Sequence, residues 1–158
     1  MNFQTRKKNR LDNFDYSQNG VYFITICVKD RKPILSKISV GADISRPNKI
    51  ELTKIGKIID YSIKSIPIHY DSIFVDNYVI MPNHIHLLLR INNDNGRIVS
   101  APTVVAGMKR YVSKQLGKSI WQKGFYDHII RDEYDYQIKY QYIDENPEKW
   151  IDDELYWE

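Results

Sequence analysis

The distribution of apolar residues along the chain predicts seven main elements in the order β–α–β–β–α–β–α. Residues 21–28 (VYFITICV) are β-branched and aromatic, follow Gly20 and precede a charged cluster. Their nearly continuous apolarity suits a strand buried on both faces. Residues 36–50 are polar, contain Gly41 and Pro47, and read as a loop or small hairpin. Thr53 is an N-cap for a helix to about residue 65, with Ile55, Ile58, Ile59 and Ile63 on one face and Pro67 beyond its end. Residues 73–81 and 84–91 form two strands of a hairpin, joined through Pro82-Asn83, a turn signal. After an exposed loop at 92–96, residues 103–116 fit a helix closed by Gly117, and 125–131 fit a short last strand. Residues 132–145 fit a final helix stopped by Pro147. Asn146 then sits at its frayed end, because a residue before proline is disfavoured in the α conformation. The order predicts an α+β fold, a ferredoxin-like antiparallel sheet with helices packed on one face, plus a C-terminal helix.

A chain of 158 residues fits one domain spanning 1–158, with a basic arm over about 1–16 and an acidic tail over about 148–158. One cysteine, Cys27, rules out an internal disulfide, and its apolar strand makes it a core residue. No apolar run approaches the ~18 residues of a membrane span, and the charged N-terminus is no signal peptide, so a cytoplasmic protein without a membrane partner is expected. The net charge of +3 conceals an asymmetry. Residues 95–126 hold six basic and no acidic side chains, whereas 127–158 hold eleven acidic and three basic. A basic middle in so small a domain suggests a polyanion site. Arg110, Lys114 and Lys118 form one helical stripe, and with the arm residues Arg6, Lys7, Lys8 and Arg10 they are the candidate phosphate contacts. A solvated helix face explains the stripe equally well. The acidic tail is a charge-complementary cover for such a site, which truncation after Trp150 would test by raising activity.

The residues that carry chemistry are His84 and His86. Side chains alternate along a strand, so both imidazoles face one side while Ile85 faces the other, a rigid bidentate grip for metal. His-x-His alone is common and often structural. The final helix offers a third ligand and a nucleophile: Tyr142 and Asn146 are four residues apart, on one face. Tyr140 with Asp144 is a chemical rival, since carboxylate is the better ligand for a hard cation. The two tyrosines point roughly 160° apart, so only one pair can face the histidines. His69 and His128 read as structural, and Trp121 as core.

Four segments decide the matter by resemblance. YVIMPNHIHLLL (78–89) resembles the histidine segment of the REP-associated tyrosine transposases, relatives of the HUH single-tyrosine transposases. DYSQNGVYFITIC (15–27) is similar to their opening strand, and WQKGFYDHIIRDE (121–133) with QYIDENP (141–147) to their closing strand and catalytic helix. The resemblance implies an HUH fold and a transposase-like enzyme that cleaves and rejoins single-stranded DNA beside a hairpin, a REP-like palindrome, through a 5′-phosphotyrosine intermediate. It implies that Tyr142 is the nucleophile and that His84, His86 and Asn146 hold a divalent metal, Mg2+ or Mn2+; the chain works as a monomer or a dimer, with the monomer favoured. Two other classes compete: a hairpin-binding module without chemistry, and a His-x-His hydrolase that uses metal-bound water and has no need of Tyr142.

Overall fold

A computed structural model describes residues 11, 13–39, 41, 48–94 and 97–156; the arm residues Arg6, Lys7, Lys8 and Arg10 lie outside them. Four strands form one antiparallel sheet: β1 (Gly20–Cys27), β4 (Ile73–Ile80), β5 (His84–Ile91) and β6 (Tyr126–Ile129). Their spatial order, β4-β5-β1-β6, is that of a ferredoxin-like β-α-β-β-α-β unit. The polar stretch after β1 supplies a separate two-stranded hairpin, β2 (Ser36–Ser39) with β3 (Lys49–Leu52). Register in the central pair sets Thr25 opposite His86 and Cys27 opposite His84.

Alternation along β1 and β5 divides the core in two. Tyr22, Ile24, Ile26, Ile85, Leu87 and Leu89 pack beneath α1 (Lys54–His69) and α2 (Ala101–Leu116), against Ile59, Ile63, Val104, Met108 and Val112. Val21, Phe23, Val79, Met81 and Leu88 face the other way. There they meet Ile143 and Trp150, from α3 (Glu133–Glu145) and the 3-10 helix Asn146–Asp152. Two helices thus cover one face, and the C-terminal helix crosses the opposite one.

Local signals explain most boundaries. Thr53 caps α1, its hydroxyl accepting from the Gly56 amide at 3.1 Å. Ser100 caps α2 two residues earlier than the sequence pattern indicates, and Gly117 closes it at φ 71°. The last strand is shorter than the predicted 125–131.

Proline misleads twice. α1 runs on to His69 with Pro67 inside it, so His69 ends a helix and does not sit in a loop. At the other site, Asn146 does not fray: it is helical, at φ −56° and ψ −41°, and the chain continues through Pro147 as a 3-10 helix. Ile66 and Asn146, the two residues before proline, are 4% and 2% exposed. Burial of their side chains outweighs the steric preference for an extended conformation.

Candidate active site

β5 is the innermost platform of the sheet, hydrogen-bonded to β1 on one side and β4 on the other. His84 and His86 project from it toward α3, with ring centroids 4.7 Å apart and exposures of 0% and 3%. Each ring is aimed by its Nδ1. His86 Nδ1 lies 2.8 Å from the Thr25 hydroxyl, and His84 Nδ1 lies 2.8 Å from Asn83 Oδ1. The Asn83 amide nitrogen donates to the carbonyls of Leu155 and Arg31, so its oxygen must accept. His84 therefore carries its proton on Nδ1, and its Nε2 presents a lone pair. Such contacts fix the ring angle of both histidines, as expected of metal ligands, and the Asn83 contact also fixes the His84 tautomer.

The inward atoms have no such partners. His84 Nε2, His86 Nε2 and Asn146 Oδ1 are buried without a hydrogen bond among the described residues. Asp153 adds a carboxylate, with an oxygen 3.7 Å from His84 Nε2 and a side chain only 5% exposed. One ligand atom from each of His84, His86 and Asp153 falls within 4.8 Å of the others. Asn146 interacts with both His84 and Tyr142. Burial pulls the His84 pKa down to about 4 despite the opposing pull of Asp153. His86 is lowered well below 6.5, by burial first and then by His84 and Lys139. Both rings are thus neutral near neutrality. Lone pairs of two neutral imidazoles, an amide oxygen and a carboxylate turned toward one another repel, unless a cation lies between them. The donor set fits a divalent metal.

Tyr142 flanks this cluster. Its ring lies 5.3 Å from His86 and 5.9 Å from Phe23, and it is 39% exposed. Burial, with Asp153 and Glu154, raises its pKa above 10, while Asn146 and Lys149 oppose the shift. Phe23, Thr25, Arg31, His86, Tyr126, Lys139, Tyr142 and the tail residues Asp153, Glu154 and Leu155 line a cavity of about 610 Å³. Tyr140 points elsewhere: its ring packs on Tyr136, and Asn77 bonds its carbonyl and the Asp144 carboxylate. The rival pair faces β4.

Comparison with known proteins bears on the family and the fold. No protein-family model matches the chain. A Haemophilus influenzae protein described as a REP-associated tyrosine transposase is 30% identical over 85% of this chain and 74% of its own length. The chain belongs to the REP-associated tyrosine transposases. An uncharacterised protein of the same organism is 29% identical to this transposase-family chain, over 96% of this chain and 93% of the relative. Among solved structures, a REP-associated tyrosine transposase bound to a REP hairpin shares the fold, with a TM-score of 0.66 and 20% identity. That match covers 89% of this chain and 73% of the other. A Deinococcus radiodurans protein described as a transposase superposes with a TM-score of 0.50 and 17% identity, over 87% of this chain and 95% of its own.

In this transposase-family chain His84, His86, Tyr142 and Asn146 come together as the sequence suggests. Arg110, Lys114 and Lys118 do not join them: Arg110 and Lys114 are exposed on α2, whose buried side packs on the opposite sheet face, and Lys118 is exposed just beyond the Gly117 cap, off the helix. His128 is held by Asp135 at 2.8 Å near the start of α3, and Trp121 and Cys27 are buried. Asp153 is the residue that sequence reasoning missed. Its only signal was membership in an acidic tail. No helix among the described residues is long and apolar enough to cross a membrane.

Proposed function

We propose that this chain cuts and rejoins single-stranded DNA beside a hairpin, with Tyr142 as nucleophile and His84, His86 and Asn146 as the grip for Mg2+ or Mn2+. The observation that carries the reading is the set of buried, unpartnered acceptor atoms beside an accessible phenol. Asp153 is a further oxygen donor to the same cation, a fit to hard metals that the histidines alone lack. When bound, the metal supplies Lewis-acid stabilisation of charge on the phosphate and on the departing 3′-oxygen.

The protein's own side chains do the rest. The Tyr142 oxygen attacks the scissile phosphorus, forming a Tyr142 O–P bond as the P–O3′ bond breaks. The phenol proton leaves to water, to which the ring is partly open, and the 3′-oxygen takes a proton up. With its pKa above 10, the phenol is protonated at neutral pH and gives up its proton in the attack. Rejoining is the reverse attack by a 3′-hydroxyl on the stored phosphotyrosine. Tyr142 packs on His86 within the one chain, an arrangement that needs no second subunit to complete the site. The basic arm and the α2 stripe are proposed to hold the hairpin by its phosphates.

The test uses 3′-labelled single-stranded hairpin oligonucleotides from beside the protein's own gene, with either metal, on denaturing gels. A labelled band at the protein's mass is expected. Tyr142→Phe or metal removal should abolish it, and Tyr140→Phe should leave it. Tight hairpin binding with no band in any metal would refute the chemistry and leave a binding module.

A further inference from the structure

Arg31 stands between two depressions. On one side is the cavity of His86 and Tyr142; on the other is an open depression of about 800 Å³ lined by Lys29, Asp30, Arg31, Ser119, Gln122 and Lys123 over a Trp121 floor. This second depression is no part of the α2 stripe, and the ion pairs among the described residues involve none of Lys29, Arg31 and Lys123. Three cations against the single carboxylate of Asp30 make it a place for anions.

The groove is also held in shape. Asp30 and Arg31 adopt φ of 58° and 53°, consecutive left-handed residues where arginine is rarely found. Arg31 N donates to the Val28 carbonyl, and Asn83 Nδ2 donates to the Arg31 carbonyl, so the turn is clamped by the residue that aims His84. Lys29 N donates to the Ile120 carbonyl, joining this turn to the opposite wall. That wall is fixed in turn by Lys109, whose ammonium bonds the carbonyls of Gln122 and Gly124. A surface turn with no ligand has little reason to keep two strained residues in succession. A turn that must hold a guanidinium at the mouth of a reaction cavity does.

We propose that this groove is a phosphodiester track for the single strand flanking the scissile bond, with Arg31 on the phosphate nearest Tyr142 and Lys29 and Lys123 on phosphates farther out. The inference rests on the proposed DNA chemistry and adds to it where the strand leaves the site. A single strand suits the site better than the hairpin stem, because Arg31 lines both the track and the cavity of the phenol, and the proposed nucleophile attacks an unpaired phosphodiester. Contacts of this kind bind without reading sequence and are screened by salt.

The experiment uses the full chain carrying Tyr142→Phe, with Mn2+, and fluorescent hairpins bearing a dT flank of two or ten nucleotides on either side. Affinity is read by anisotropy across a salt series. The longer flank should bind more tightly on one side. In Lys29→Gln/Lys123→Gln that gain should fall at least tenfold, and the slope of log affinity against log salt should drop by about 1.4, at ~0.7 per phosphate lost. Arg31→Asn, which tolerates the left-handed backbone, should weaken binding of both hairpins. Lys54→Gln/Lys57→Gln on α1 removes the same charge from elsewhere and should keep the flank gain. Loss of the gain in that control as well, or its survival in the groove variant, would overturn the track while leaving the DNA chemistry standing. Failure of the parent to bind either hairpin, with either metal, would overturn both.

Discussion

Replacing Asn146 by leucine separates a metal ligand from an ordinary helix-end residue. The two side chains have the same number of heavy atoms and the same branching, so the change swaps an orphaned buried oxygen for a methyl without opening a cavity. A buried polar atom left without a partner costs about 1–3 kcal/mol, and that cost disappears. The amide nitrogen's interaction with Tyr142 is lost as well, at most about 0.5–1.5 kcal/mol by the worth of an ordinary hydrogen bond. The balance is a gain of about 1 kcal/mol for the metal-free protein, or about 2–4 °C in melting temperature for a chain of this size. Metal reverses the order. At a concentration one hundred times its dissociation constant, a bound cation stabilises the parent by about 2.7 kcal/mol, and the variant lacks a ligand to receive it. Thermal melts of both proteins in EDTA and in MnCl2 give the four numbers needed. If Asn146→Leu is destabilised in EDTA as much as in MnCl2, the amide is a packing or capping residue and the reasoning fails.

Three further outcomes follow from the same coordinates. Thr25→Val removes the hydroxyl that orients His86 and should weaken Mn2+ binding ten- to a hundredfold, measured by titration calorimetry; an unchanged affinity would mean that the strand alone aims the ring. Asp153→Asn should also weaken Mn2+ binding while leaving the metal-free melting temperature within about 1 °C; equal affinity for metal would remove Asp153 from the donor set. Gly56→Ala should cost at least 1–3 kcal/mol in urea unfolding, because its Cβ would overlap the Leu35 carbonyl oxygen, which is backbone and has nowhere to go; a neutral result would refute that close approach.

The parts of the site that lie within one element were legible in the sequence, and those that depend on pairing were not. His84 and His86 share a face because a strand alternates, and Tyr142 and Asn146 share one because a helix repeats every 3.6 residues; both rules act locally. Thr25 is the partner of His86 only through the β1–β5 register, 61 residues away, and no local pattern announces it. Asp153 reaches the histidines because the chain turns back through the 3-10 helix after Asn146. Reading Pro147 as a stop hid that path. The α2 stripe was legible as a stripe, but a helical wheel does not say which side of the sheet the helix covers. Pro67 misplaced the end of α1 for the same reason that Pro147 misled: tertiary burial of the preceding residue is not written in the dipeptide.

The two halves of the reaction centre are anchored very differently. The imidazoles ride on a strand laddered on both sides, whereas α3 buries a single side chain, Ile143, over thirteen residues. Opening of α3 should therefore take far less free energy than opening of the sheet, and amide exchange would grade them in that order. A phosphate esterified to Tyr142 would travel with the loosely moored element, and Asn146 at the end of α3 with it, while the two histidines stay where they are. Such an arrangement lets a cut end swing clear and another strand enter before rejoining, with the histidine pair left in place between the two steps.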